Sequence, residues 1–314
     1  MRPLKSDDIR GTWGTLLLPI QPDDSIDYML LTEEIDRLIE SGVAGIYSNG
    51  TAGEMYNQTE AEFDRISGIL AERCERTGVP FQLGVSHMSP MLSLERLRRV
   101  IPLAPGAVQV ALPDWFRPSV DECMDFLQRM AEVASPIPLV LYNPPHAKRV
   151  LSPAEIGQLA RAVPALVGVK VADGDEGWYE RMRVHCSGLS VFVPGHHLAT
   201  GRTRGAGGSY SNVACLNPAA AQRWWRQMHD APGEAVALQG RIEGFLEQYI
   251  LPLLLKGYST MAVDKLLAAI GHWCRIDSRL RWPYRWIDEE TADHLRSTAR
   301  ECLPEFFSAE VLCP

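Results

Sequence analysis

Apolar positions along this chain fall into two alternating rhythms. Short runs of apolar, β-branched and small residues are followed by stretches in which apolar side chains recur every three or four positions. The first rhythm predicts buried strands, and the second predicts helices with one buried face. Gly11-Thr12-Trp13-Gly14-Thr15-Leu16-Leu17-Leu18-Pro19 reads as a strand stopped by proline. Met29, Leu30, Ile35, Leu38 and Ile39 then place a helix over about 27–41, closed by Ser41-Gly42. Further strands are predicted at 43–47, 81–85, 107–112, 138–142, 167–173, 190–193 and 207–211. The helices between them fall at about 58–76, 91–101, 119–134, 152–162, 176–186, a short stretch to about 204, and 218–230. Thr59 and Ser119 stand as N-caps, and Ser152-Pro153-Ala154-Glu155 is a capping box with proline at the first helical position.

Strict alternation of strand and helix with short connections predicts a parallel sheet covered by helices. Repetition of the unit through residues 8–231 favours closure into a (β/α)8 TIM barrel, an α/β fold, over an open doubly wound sheet. No GxGxxG turn follows the first strand, which further disfavours a dinucleotide-binding fold. Residues 232–314 carry helical periodicity through Ile242, Leu246, Ile250 and Leu253, and again through Val263, Leu266, Leu267 and Ile270. They are expected to form a C-terminal helical extension, packed on the barrel or on a neighbouring subunit.

Composition narrows the class of partner. The net charge of −8 argues against nucleic acid and against an anionic membrane. Seven cysteines are scattered singly with no CxxC pair, so a disulfide framework and a zinc site are both disfavoured. A reducing, cytoplasmic setting fits them better. Residues 1–10 lack the apolar core of a signal peptide, and the apolar run at 250–255 is short and broken by Pro252.

A barrel of this kind brings the C-terminal ends of all its strands to one mouth. Those ends carry Thr51, Tyr142, Lys170, His196, His197 and the 209–211 segment. Lys170 lies in Val167-Gly168-Val169-Lys170-Val171-Ala172-Asp173, a run that otherwise reads as buried. A buried ammonium is expected to have a lowered pKa, and a neutral amine in an apolar pocket forms imines with carbonyl compounds. Taken on its local pattern alone, Lys170 reads better as a strand end that snorkels to solvent or pairs with Asp173, and the rest of the chain reverses that preference. Tyr142 offers a proton-moving phenol or an aromatic plug. The turn Gly50-Thr51-Ala52-Gly53-Glu54 offers backbone N–H groups to a carboxylate, or is a plain turn ordered by Glu54. His196 and His197 read as acid/base or hydroxyl-binding groups, or as a packed loop pair. Adjacent histidines without a spaced carboxylate make a poor metal site. Cys215 reads as a small core residue.

Four motifs in chain order carry a resemblance. Gly50-Thr51-Ala52-Gly53-Glu54, Tyr142-Asn143-Pro144-Pro145, Gly168-Val169-Lys170 and Gly205-Ala206-Gly207-Gly208-Ser209-Tyr210-Ser211 resemble those of the dihydrodipicolinate synthase / N-acetylneuraminate lyase family of Schiff-base lyases. Arg281-Trp282-Pro283 is similar to a late element of the same family. The resemblance implies an imine between Lys170 and pyruvate or another 2-oxo acid, with Tyr142 as proton shuttle and Thr51 as its relay. The Thr51-Ala52 backbone would hold the keto-acid carboxylate, and Gly195, His196, Tyr210 and Ser211 complete the candidate substrate contacts. It further implies no metal or organic cofactor, a small-molecule 2-oxo acid with an aldehyde as partners, and a homo-oligomer, dimer or tetramer.

The chain also departs from that pattern. Ala52 replaces a second hydroxyl residue, and Trp115 stands where the synthases carry a tyrosine donated across a dimer interface. Ala147 occupies the place of their carboxylate-binding arginine, with Lys148 and Arg149 just beyond. Gly195-His196-His197 replaces the acidic pair of the sialic acid lyases. The expectation is therefore a 2-oxo-acid lyase or aldolase that is not a true dihydrodipicolinate synthase. The alternatives are a 2-keto-3-deoxy sugar acid dehydratase working through the same imine, and a non-catalytic keto-acid-binding barrel.

Overall fold

The computed structural model describes residues 1–307. Eight parallel strands close into a barrel: β1 (Gly11–Thr15), β2 (Gly45–Ser48), β3 (Phe81–Gly84), β4 (Ala107–Ala111), β5 (Leu139–Tyr142), β6 (Leu166–Lys170), β7 (Ser190–Phe192) and β8 (Gly208–Tyr210). Each strand pairs with the next, and β8 returns to β1 through Thr12 opposite Ser209. The helices between strands are α1 (Tyr28–Glu40), α2 (Glu60–Thr77), α3 (Pro90–Val100), α4 (Val120–Ala134), α5 (Pro153–Ala162), α6 (Glu176–His185) and α7 (Leu198–Arg204). This is the expected (β/α)8 barrel.

Local chemistry fixes where several helices begin. Thr59, Ser119 and Ser152 each accept from the backbone N–H three residues on, and Glu62, Glu122 and Glu155 bond back to the cap. Reciprocal caps of this type contribute about 1 kcal/mol each. Inside the barrel, Trp13, Tyr47, Val140, Phe192 and Tyr210 form a plug of large side chains. Gly45 is required there, since a Cβ at this position would meet the Trp13 ring at 2.7 Å. The main core lies between the sheet and helices α1 to α6.

The first strand is shorter than the apolar run suggests. Leu16, Leu17 and Leu18 are buried, but the Leu17 N–H is taken by the Glu34 carboxylate at 2.7 Å rather than by a neighbouring strand. The chain beyond β8 also holds an element that the periodicity does not reveal. Ser211 caps a five-residue helix, α8 (Asn212–Leu216), and Asn217 ends it while capping α9 (Pro218–Asp230). Two hydrophilic caps so close together interrupt any apolar repeat.

The extension comprises α10 (Pro232–Phe245), a π-helical turn at Leu246–Ile250, α11 (Leu251–Leu255), α12 (Thr260–Gly271) and α13 (Glu289–Cys302). It packs on its own barrel. Helix α10 lies on α7 and α9, α12 lies on α8, and α13 covers α12. These helices share a second core with α7 to α9. Among the described residues no helix is long and apolar enough to cross a membrane.

Candidate active site

Lys170 is the last residue of β6 and pairs in register with Tyr142 on β5 and Phe192 on β7. Neighbours at one register of a parallel sheet point to the same side, so Lys170 and Tyr142 enter the barrel mouth together. The Lys170 ammonium sits 4.4 Å from the centre of the Tyr142 ring, 5.5 Å from that of Tyr210 and 5.6 Å from that of Tyr47. Three π faces around one cation stabilise it. Taken as a whole residue, Lys170 is half-buried.

The expected lowering of the Lys170 pKa is reversed here. Burial does pull the amine down, but Tyr47, Tyr142 and the carboxyl group of Asp264 outweigh it and hold the ammonium above the ordinary lysine value. Sequence reasoning counted the loss of water and could not see the groups that replace it. Asp264 is one of them, and it was missed because it belongs to α12, far along the chain. Burial pushes its carboxyl up to about 7 while Lys170 pulls the other way. Its signal was present: Asp264-Lys265 is a charged pair inside the otherwise apolar run from Met261 to Ile270. Tyr47 was missed as well, although it sits at an inward-facing position of β2.

Tyr210, a candidate substrate contact, is placed inside the barrel plug. Its hydroxyl donates to Gln82, and its ring packs 4.4 Å from that of Tyr47. Thr51 and Ala52 lie in the turn after β2. That turn departs from ordinary backbone at both ends, with φ of +55° at Asn49 and +50° at Glu54. Such strain in non-glycine residues persists only where the surroundings enforce it. Here Glu54 forms an ion pair of 2.9 Å with Lys265 and accepts from the Arg281 N–H at 3.1 Å. Asn49 donates to the Ser67 hydroxyl at 3.0 Å. The backbone N–H groups of Thr51 and Ala52 have no protein acceptor among the described residues. Arg281 itself forks onto Glu62 at 2.7 and 2.9 Å, so the late Arg281-Trp282-Pro283 element anchors this turn.

A cavity of about 350 Å³ opens beside these groups, with Thr51 and Tyr142 in its lining. Trp115 and Lys148 close one side. Lys148 donates to the Trp115 carbonyl at 2.5 Å, and its backbone N–H donates to Asp114 at 2.8 Å. Arg149 is turned away, bonded to the Pro118 carbonyl at 3.0 Å and to Glu155 at 2.6 Å.

Gly195, His196 and Ser211 gather on the β7–β8 side. A Cβ on Gly195 would meet the Ser211 hydroxyl oxygen at 2.4 Å, so only glycine allows this approach. The Ser211 hydroxyl accepts from the Ala214 N–H at 3.1 Å. His196 shares a 3.0 Å contact with the Asn212 side chain, and burial lowers its pKa to about 4, so the ring is neutral. His197 lies 3.3 Å from Asp173 and 3.8 Å from Glu243. The Cys215 thiol is buried and pushed well above its ordinary pKa, which makes it unreactive.

A family model, the dihydrodipicolinate synthetase family, matches residues 8–301. The chain belongs to this family. Among its curated relatives is a 4-hydroxy-tetrahydrodipicolinate synthase of Phocaeicola vulgatus, 31% identical over 53% of this chain and 56% of the relative. Another is a trans-O-hydroxybenzylidenepyruvate hydratase-aldolase of Sphingobium xenophagum, 25% identical over 53% of each chain. The chain spans about half the length of these curated relatives. Solved structures extend the likeness in fold. A sialic acid aldolase of Ruminococcus gnavus superposes with a TM-score of 0.83 at 17% identity, covering 98% of this chain and all of that one. A dihydrodipicolinate synthase of Bacteroides thetaiotaomicron gives 0.81 at 20% identity, covering 93% and 98%. The two curated relatives are named as a synthase and a hydratase-aldolase, and the two fold neighbours as an aldolase and a synthase.

Proposed function

We propose that this protein is a class I lyase in which Lys170 forms an imine with pyruvate or a related 2-oxo acid. One observation carries the reading: the Lys170 ammonium at the barrel mouth, 4.4 Å from the centre of the Tyr142 ring. The nearby turn supports it, because the N–H groups of Thr51 and Ala52, without an acceptor among the described residues, suit a carboxylate.

The resting ammonium is compatible with this chemistry. An ammonium and a ketone contain the same atoms and charge as a protonated imine and one water. Two protons must therefore move from nitrogen to the carbonyl oxygen. Tyr142 is the phenol placed to carry them, and Thr51, in the same cavity lining, is its relay. Loss of a proton from C3 then gives an enamine that adds to an aldehyde. In the reverse direction the C3–C4 bond breaks, and its electron pair is drawn into the protonated imine. That imine is the electron sink, so the proposed route calls on no further cofactor.

The pocket argues against a true dihydrodipicolinate synthase. Ala147 fills the position of the synthases' arginine, and the nearby Arg149 guanidinium is committed to Pro118 and Glu155. The hydratase-aldolase relative supports a different aldehyde partner. The exposed Trp115 and Phe116, 62% and 78% accessible beside the mouth, support association of two copies through this face.

The test is reduction with borohydride in the presence of pyruvate, followed by peptide mass spectrometry. A reduced pyruvyl adduct on Lys170 is expected. Absence of an adduct with pyruvate and with longer 2-oxo acids would refute the imine and favour a binding protein.

A further inference from the structure

Lys170 has a second phenol beside it, to which the proposed chemistry gives no task. Tyr47 stands on β2 in register with Thr15 of β1, and its side chain turns into the barrel. Its ring packs on Tyr210, and the Lys170 nitrogen lies 5.6 Å from its centre. The hydroxyl end of the ring lies against Gly50, the residue before Thr51 and Ala52. A Cβ on Gly50 would come within 2.4 Å of the ring edge and 3.1 Å of the phenol oxygen. Glycine therefore lets the backbone of the turn settle on the phenol. Tyr47 borders both the amine and the turn.

The hydroxyl in this position is a donor. Burial raises the Tyr47 pKa against the pull of Lys170 and of a hydrogen bond with Thr15, so the phenol keeps its proton. A hydroxyl that lowers the pKa of a phenol donates to its oxygen, and an ammonium has only hydrogens to offer. The Tyr47 O–H is left to point elsewhere. Among the described residues no carbonyl or carboxylate accepts it, whereas the Tyr210 hydroxyl is taken by Gln82. A buried phenol needs a partner, and here the partner has to arrive with the substrate.

In a 2-oxo acid the carboxylate is bonded directly to the carbon that joins Lys170 in the imine proposed above. The N–H groups of Thr51 and Ala52 draw that carboxylate toward the turn, alongside Tyr47. We infer that the Tyr47 hydroxyl donates to the carboxylate of the 2-oxo acid and makes the site select a free acid over its ester. The bond is charge-assisted, and so stronger than one to a neutral ester oxygen.

The experiment is a competition. Equal concentrations of pyruvate and methyl pyruvate are trapped on the same enzyme with cyanoborohydride, and the two adducts on Lys170 are counted by peptide mass spectrometry. In Tyr47→Phe the ratio of pyruvate to ester adduct should fall by about tenfold or more, the usual worth of a hydrogen bond to a charged group. Phenylalanine fills the same space, so the plug stays packed. Any change in the Lys170 amine, or in the folded fraction, acts on both adducts and cancels in the ratio. If both adducts decline together at an unchanged ratio, Tyr47 acts only on the amine and the carboxylate contact falls, while the imine reading stands. If pyruvate adducts form as in the parent at an unchanged ratio, the contact falls in the same way. If the parent traps no 2-oxo acid on Lys170, both fall.

Discussion

Glu54 and Lys265 meet at 2.9 Å, and neither side chain has meaningful access to water. Glu54 closes the turn that carries Thr51 and Ala52, and Lys265 comes from α12 in the C-terminal extension. The extension therefore helps to hold a strained turn of the barrel in shape. Removing one partner of such a pair leaves the other charge buried without compensation, at about 3–5 kcal/mol. Lys265→Met is expected to lower denaturant stability by an amount in that range. Combining it with Glu54→Gln should recover part of the loss, since no ion is then stranded. A double variant no more stable than the worse single would show that the ion pair is not the dominant interaction at this site.

Lys170 and Tyr142 have separable roles in the proposed chemistry. Lys170→Ala removes the imine nitrogen, so turnover and borohydride trapping should both vanish. Tyr142→Phe keeps the ring beside Lys170 but loses the phenolic proton. Its turnover should fall by roughly 10²–10⁴-fold, the usual contribution of one acid/base group. Some trapped adduct should remain on Lys170. Near-normal turnover in Lys170→Ala would end the Schiff-base reading.

The barrel and most of its elements were legible because local signals agreed with the tertiary result. The caps at Thr59, Ser119 and Ser152 sit where the periodicity starts each helix. Thr51, Tyr142 and Lys170 were legible as neighbours because the barrel alone brings strand ends together. What escaped were contributions from outside the motif-bearing strand ends. Asp264 and Lys265 lie on a helix whose position relative to the barrel no spacing encodes. Tyr47 precedes its motif by three residues and reads as one more core aromatic. The Lys170 pKa went astray for the same reason, since its direction is set by Tyr47, Tyr142 and Asp264 against burial.

The sign of the Asp264 effect can be tested through that shift. Its carboxyl titrates near 7, so above neutrality it faces Lys170 as an anion. Removing that anion destabilises the ammonium and lowers the pKa of the amine. In Asp264→Asn, the rise of borohydride trapping with pH should therefore begin at lower pH than in the parent. Any inflection near pH 7 that belongs to Asp264 itself should disappear. A trapping profile superimposable on the parent's would show that Asp264 does not act on Lys170.

His197 and Asp173 give a stability effect whose pH window follows from the two shifts. Contact with Asp173 raises the His197 pKa above 6.5 against opposing burial, with a further push from Glu243. Burial works to raise the Asp173 carboxyl, but the His197 ring and the Tyr179 hydroxyl outweigh it and hold it below 3.8. A raised histidine stabilises fully below its unfolded value, and the effect is lost as pH climbs through the folded one. A depressed carboxyl stabilises above its unfolded value, and the effect is lost as pH falls through the folded one. The pair is thus fully effective between about pH 4 and 6.5. Melting temperatures of the parent and His197→Gln should differ most near pH 5.5 and converge by pH 9. With the His197 side chain 36% exposed, salt should narrow the difference at pH 5.5. An equal difference at both pH values would mean that the ring acts by packing, not by charge.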